Sequence, residues 1–144
     1  MFGQYLENVR KKNLTIHNIT NYVTANDVAN IILACGARPI MADEKEEAEE
    51  ITAISAGLNI NLGTLQKRRA EAMILAGRRA KELHHPVLLD PVGVGASRLR
   101  MDTAQQIMNE IHPDVIRGNI SEIRALFEKN AHSGIDADRS DCVS

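Results

Sequence analysis

The chain has no tryptophan, two phenylalanines and two tyrosines, so aromatic residues make up 3% of its 144 positions. Surfaces that hold single-stranded nucleic acid need stacking rings and a basic track. Here the formal net charge is −2 and the two signs are interspersed, which excludes a basic patch of that kind. Cysteine is nearly as scarce. Cys35 and Cys142 form no C-x-x-C pair, and the five histidines are scattered, so neither a disulfide framework nor a Cys/His metal cluster is available. Cys35 closes an apolar stretch and reads as a small buried hydrophobe. No apolar run approaches the ~20 residues that cross a bilayer. The first ten residues carry Glu7 and lack the continuous apolar core of a signal peptide. The expectation is a cytoplasmic chain with no membrane partner and no nucleic-acid partner.

What is present is a core. Hydrophobic residues make up 44% of the chain, enough for one globular domain. Helical spacing recurs at Phe2, Tyr5, Leu6 and Val9, and over residues 26–35, where Gly36 supplies the stop and Thr24-x-x-Asp27 a possible cap. It recurs in an acidic helix beginning near Glu44, at Ala70, Met73, Ile74 and Gly77, at Ala104, Ile107, Met108 and Ile111, and at Ile120, Ile123, Leu126 and Phe127. Extended segments lie between, at residues 14–17, 39–41, 58–62, 87–90 and 115–117. Alternation of strand and helix predicts an α/β fold with a mostly parallel sheet and helices on both faces. The domain is expected over residues 1–129. Residues 130–144 are polar and without periodicity, and read as a loop or frayed tail.

Chemistry gathers after the apolar runs. Val115-Ile116 leads into Arg117-Gly118-Asn119-Ile-Ser-Glu122, and Val87-Leu-Leu into Asp90-Pro-Val-Gly93-Val-Gly95. In open α/β sheets ligands bind at the carboxyl ends of the strands. An arginine there suits phosphate, and a nearby carboxylate suits Mg²⁺ carried in by phosphate. Asn119-x-x-Glu122 is equally a capping box, and Asp90-Pro91 equally a turn. The run from Asp43 to Glu50 reads as the solvated face and first turns of a helix rather than as a metal site. His84-His85 sits at a helix end, where cations are favoured.

Taken together, His17-Asn-Ile-Thr-Asn-Tyr-Val-Thr24, Pro39-Ile-Met-Ala-Asp43, Asn61-Leu-Gly-Thr-Leu65, Leu89-Asp-Pro-Val-Gly-Val-Gly-Ala96 and Val115-Ile-Arg-Gly-Asn-Ile-Ser-Glu-Ile123 resemble the hydroxyethylthiazole kinases. The blocks stand in family order and extend to about Leu126. The resemblance implies a ribokinase-like fold and ATP-dependent phosphorylation of 4-methyl-5-(2-hydroxyethyl)thiazole, with Mg²⁺, in thiamine biosynthesis and salvage. It implies a homo-oligomer, a trimer with sites between subunits. Carried over, it gives Asn21, Val23, Met41 and Gly63 to the thiazole, Arg117 and Asn119 to ATP, and Asp90 and Glu122 to the metal and phosphate region.

The resemblance covers the N-terminal half of such a kinase. Family members also carry a Gly-Thr-Gly segment followed by a Cys or Asp that serves as catalytic base. No Gly-x-Gly-(Cys/Asp) occurs here, so no catalytic base is assigned. The alternative expectation is a catalytically inactive half-domain that binds thiazole or only self-associates. A hydroxymethylpyrimidine kinase or a nicotinamide-nucleotide hydrate dehydratase fits the Asn18-Ile-Thr-Asn21 and Pro39-Ile-Met41 blocks less well.

Overall fold

The structure is a computed structural model and describes residues 2–128. The segment expected to form a polar tail lies outside the described residues. Along the chain run α1 (Phe2–Lys12), β1 (Thr15–Ile19), α2 (Ala25–Cys35), β2 (Arg38–Met41), α3 (Ala48–Ala53), β3 (Gly57–Asn61), α4 (Lys67–Glu82), β4 (Val87–Asp90), α5 (Arg98–Glu110), β5 (Val115–Ile116) and α6 (Ile120–Glu128). A single 3-10 turn, Val94–Ala96, precedes α5.

The five strands form one sheet in the order β2-β1-β3-β4-β5, and every pairing is parallel. Strand side chains alternate between faces. Ile19, Leu58, Ile60, Val87 and Leu89 share one face and pack with Met73, Ile74, Ala76 and Ile107 of α4 and α5. Alanines 72, 76 and 80 of α4 are fully buried, which lets that helix approach closely. The chain moves one way from β1 to β2 and the other way from β2 through β5. With right-handed crossovers this sets α2 on the face opposite α3, α4 and α5. That reversal beside β1 makes the carboxyl ends of β1 and β3 the place where loops diverge and leave a crevice.

Local details depart from the periodicity reading. β1 continues to Ile19, so His17 stands inside the strand. Thr24 occupies the N-cap position of α2 but makes no capping bond, because its hydroxyl donates to Asn21 Oδ1 at 3.1 Å. The acidic segment gives turns first, and α3 starts at Ala48. α2 has no fully buried residue, and Cys35 is only half-buried. Gly36 does close α2 in the left-handed region, at φ 91°.

Candidate functional site

Parallel register lines up four strand ends on one face. Asn18 stands opposite Asn59, and Asn61 opposite Asp90. From Asn21, just beyond β1, a side-chain ladder crosses the sheet. Asn21 Nδ2 donates to Asn61 Oδ1 at 3.0 Å, Asn61 Nδ2 donates to Asp90 Oδ2 at 2.9 Å, and Arg117 Nη2 donates to the same oxygen at 2.6 Å. Asn21, Asn61 and Asp90 are buried, so each polar group needs such a partner. Asn21 Oδ1 also accepts the backbone N–H groups of Val23 and Thr24, which shapes the entry to α2. Among the described residues no protein donor reaches Asp90 Oδ1.

Above this ladder lies a cavity of about 470 Å³ lined by Asn21, Val23, Gly63, Asp90, Arg100 and Arg117, among others. Five of the eight residues expected at a site therefore share one cleft. Gly63 is required there for space: a Cβ would come within 2.7 Å of Asn21 Cβ and 2.9 Å of Asn61 Oδ1. Met41 lines a smaller adjoining compartment of about 190 Å³ with Tyr22 and Arg69, and Thr20 borders both. Asn119 sits apart from them, on an open groove at the start of α6 with Ser121 and Arg124.

Asn119 and Glu122 form the capping box: Asn119 Oδ1 accepts the Glu122 N–H, and Glu122 Oε2 accepts the Asn119 N–H, each at 2.9 Å. The other Glu122 oxygen accepts the Gly93 N–H at 3.0 Å, tying α6 to the turn after β4. Gly93 has φ 62° and presents its N–H inward to that carboxylate. Asp90 and Glu122 thus border the same turn from two sides. Among the described residues no group of three or more His, Cys, Asp or Glu side chains is arranged to hold a metal ion.

Two residues of the site, Arg100 and Arg69, had no role in the sequence reading, and the strain at Thr64 was not foreseen. Arg100 donates to the Val92 carbonyl at 2.6 Å and adds a second guanidinium to the cleft. Thr64 holds φ 47°, a conformation that β-branched residues avoid at a cost of order 1–3 kcal/mol. Arg69 is 2% exposed and reaches the loops after β1, β2 and β3. One sequence signal for it existed. Lys67-Arg68-Arg69 opens α4 with three cations and no acid, against the helix dipole, so some other partner had to hold at least one of them.

A match to the model of the hydroxyethylthiazole kinase family extends over residues 6–143. The chain belongs to the hydroxyethylthiazole kinase family. It is 58% identical over 144 residues to a hydroxyethylthiazole kinase of Clostridium acetobutylicum, covering 99% of this chain and 53% of that protein. It is 53% identical over 140 residues to one of Ruminiclostridium cellulolyticum, covering 96% and 51%. The solved hydroxyethylthiazole kinase protein of Pyrococcus horikoshii superimposes with a TM-score of 0.85 at 40% identity, over 89% of this chain and 50% of that one. The chain spans about half the length of the curated relatives it matches. The α/β fold with its parallel sheet is the fold of that solved relative over the shared half.

Proposed function

We propose that this chain provides the thiazole-binding and phosphate-facing part of an ATP-dependent kinase for 4-methyl-5-(2-hydroxyethyl)thiazole in thiamine biosynthesis and salvage. The observation that carries this reading is the single cleft shared by Asn21, Val23, Gly63, Asp90 and Arg117 in a chain of this family. Val23, Met41 and the backbone at Gly63 offer apolar and close-packed walls to a small heteroaromatic ring, and the amide of Asn21 a polar contact. Arg117 and Arg100 offer two guanidinium groups against one buried carboxylate, a balance that favours an anionic ligand such as a phosphate chain. Asn119 caps α6, whose N-terminal N–H groups favour negative charge.

Mg²⁺ fits the donor set. Asp90 keeps one oxygen free of described protein partners, and Glu122, with both oxygens on backbone N–H groups, suits a water-bridged role; Mg²⁺ commonly takes one or two carboxylates and keeps several waters. When bound, the ion would supply charge neutralisation at the ATP phosphates. The chain's own contribution is positioning: the amide ladder fixes Asp90, and Asp90 fixes Arg117.

The alternative, a module that binds without turnover, is favoured by one feature: these 144 residues contain no Gly-x-Gly-(Cys/Asp) segment to bear a base. We further infer a homo-oligomer, a trimer, in the cytoplasm. Exposed Tyr22 and Val23 before α2, with Ile31 and Leu33 on its flanks, leave apolar surface uncovered, which supports a contact with another copy. Titrating the ¹⁵N-labelled chain with the thiazole alcohol tests the main reading. The amides of Asn21, Val23 and Gly63 should shift in a saturable way, and unchanged amides at all three would refute it.

A further inference from the structure

Arg69 is a cation almost wholly removed from water. Such a group persists only when its donors are engaged. Its Nη2 donates to the Thr20 carbonyl beyond β1. Its Nη1 donates to Thr64, to the carbonyl at 3.3 Å and the hydroxyl at 3.2 Å, beyond β3. Its Nε lies 2.8 Å from Asp43 Oδ2, beyond β2, as an ion pair rather than an aligned hydrogen bond. Its guanidinium carbon stacks 4.5 Å from the centre of the Tyr22 ring. Thr64 Oγ1 in turn accepts the Tyr22 N–H at 3.2 Å.

These contacts join three loops that share no backbone hydrogen-bond ladder with one another. The same loops carry Asn21, Val23 and Gly63, and Met41 ends β2 directly before one of them. They also hold Thr64 in its left-handed conformation directly after Gly63. We propose that Arg69 is a positioning residue: its planar fork clamps the loops after β1, β2 and β3 and so sets the walls of the two adjoining compartments for a small ring-bearing ligand. The consequence for ligand binding rests on the thiazole reading above; the clamp itself does not. A lysine keeps the charge but cannot reach a carbonyl, a hydroxyl, a carboxylate and a ring at once. The role therefore requires the guanidinium shape, and charge alone is insufficient.

The test uses the intact 144-residue chain and its Arg69→Lys, Arg69→Met and Asp43→Asn variants, followed by amide hydrogen exchange. In Arg69→Lys the amides of residues 20–24, 41–43 and 63–65 should exchange at least roughly tenfold faster, while Ile60 and Leu89 in the core keep their rates. In Asp43→Asn the same acceleration should centre on residues 41–43. Should Arg69→Met fail to fold, the other two variants still decide the matter. Wild-type rates in all three loops of Arg69→Lys, or an acceleration that includes Ile60 and Leu89 equally, would overturn the clamp. The thiazole alcohol, titrated calorimetrically, should bind roughly tenfold more weakly to Arg69→Lys. If the unsubstituted chain binds no thiazole while the loops respond as described, the thiazole reading fails and the clamp stands.

Discussion

His17 lies on β1 with no exposed surface, between α3 and the end of β2. Its Nε2 stands 2.9 Å from the Ala42 carbonyl, which can only accept, so Nε2 carries the proton and Nδ1 faces the Thr52 hydroxyl. Burial pushes its pKa below the ordinary 6.5, opposed by the Ala42 bond and the field of Glu47. The folded state therefore binds fewer protons than the unfolded one as pH falls past that value. Stability from this residue is full above about pH 6.5 and is lost below it, by ~1.4 kcal/mol for each unit of depression. Urea unfolding between pH 8 and pH 5 should show that acid-side decline in the wild type. His17→Gln should be less stable at pH 8 and show a shallower decline; an identical slope in both would remove His17 as the cause. Gly63 gives a second single-residue test. In Gly63→Ala the new methyl would press on Asn21 and Asn61, the first two rungs of the ladder. A loss of ~1–3 kcal/mol in urea unfolding is expected from such overpacking, together with weaker thiazole binding. A variant as stable as wild type would mean the ladder can shift without cost.

At the scale of elements, the strand ends were legible because the same residues serve two needs. A glycine, an Asp-Pro or an Arg-Gly after an apolar run stops a strand, and in a parallel sheet it also faces the crevice. Asp90 and Arg117 could therefore be singled out from local sequence, and the fold sets them 2.6 Å apart. Arg69 was only faintly legible for the opposite reason: the cations opening α4 implied a missing partner but not which one or where. Its partners lie 5 to 49 residues away in sequence, and nothing local marks their convergence. Asp43 was misread with it: the acidic run does face solvent in part, yet its first member pairs with a buried guanidinium. The limited burial of α2 was also hidden, because an apolar helix reads the same whether its cover comes from its own chain or from elsewhere. The capping box on α6 shows both readings true at once. Asn119→Ala removes the acceptor for the Glu122 N–H and should cost about 1 kcal/mol of stability in urea unfolding. Because Glu122 also holds Gly93, the loosened helix start should be seen as faster amide exchange at Gly93. Unchanged exchange there would mean that the tie does not depend on the cap.

At the scale of the whole molecule, the described residues of the cleft offer groups suited to binding and positioning but no uncommitted base. A primary alcohol must lose a proton as it attacks phosphorus, and that proton needs an acceptor near the hydroxyl. In the described cleft the only carboxylate is Asp90, whose Oδ2 already takes hydrogen bonds from Asn61 and Arg117 and whose other oxygen is the one proposed above to meet the metal. The 144-residue chain by itself, given the thiazole alcohol and MgATP, should therefore form ADP at a rate far below that of the Clostridium acetobutylicum relative, of which it matches 53%. The proposed ligand contacts, Asn21, Val23, Met41 and Gly63, all lie within the chain, so thiazole binding is expected to outlast turnover. Supplying the part of that relative beyond the matched 53% as a separate polypeptide should raise ADP formation if that part brings a base to the cleft. Turnover by the chain alone comparable to that of the full-length relative would show that Asp90, or another group within these residues, accepts the proton after all.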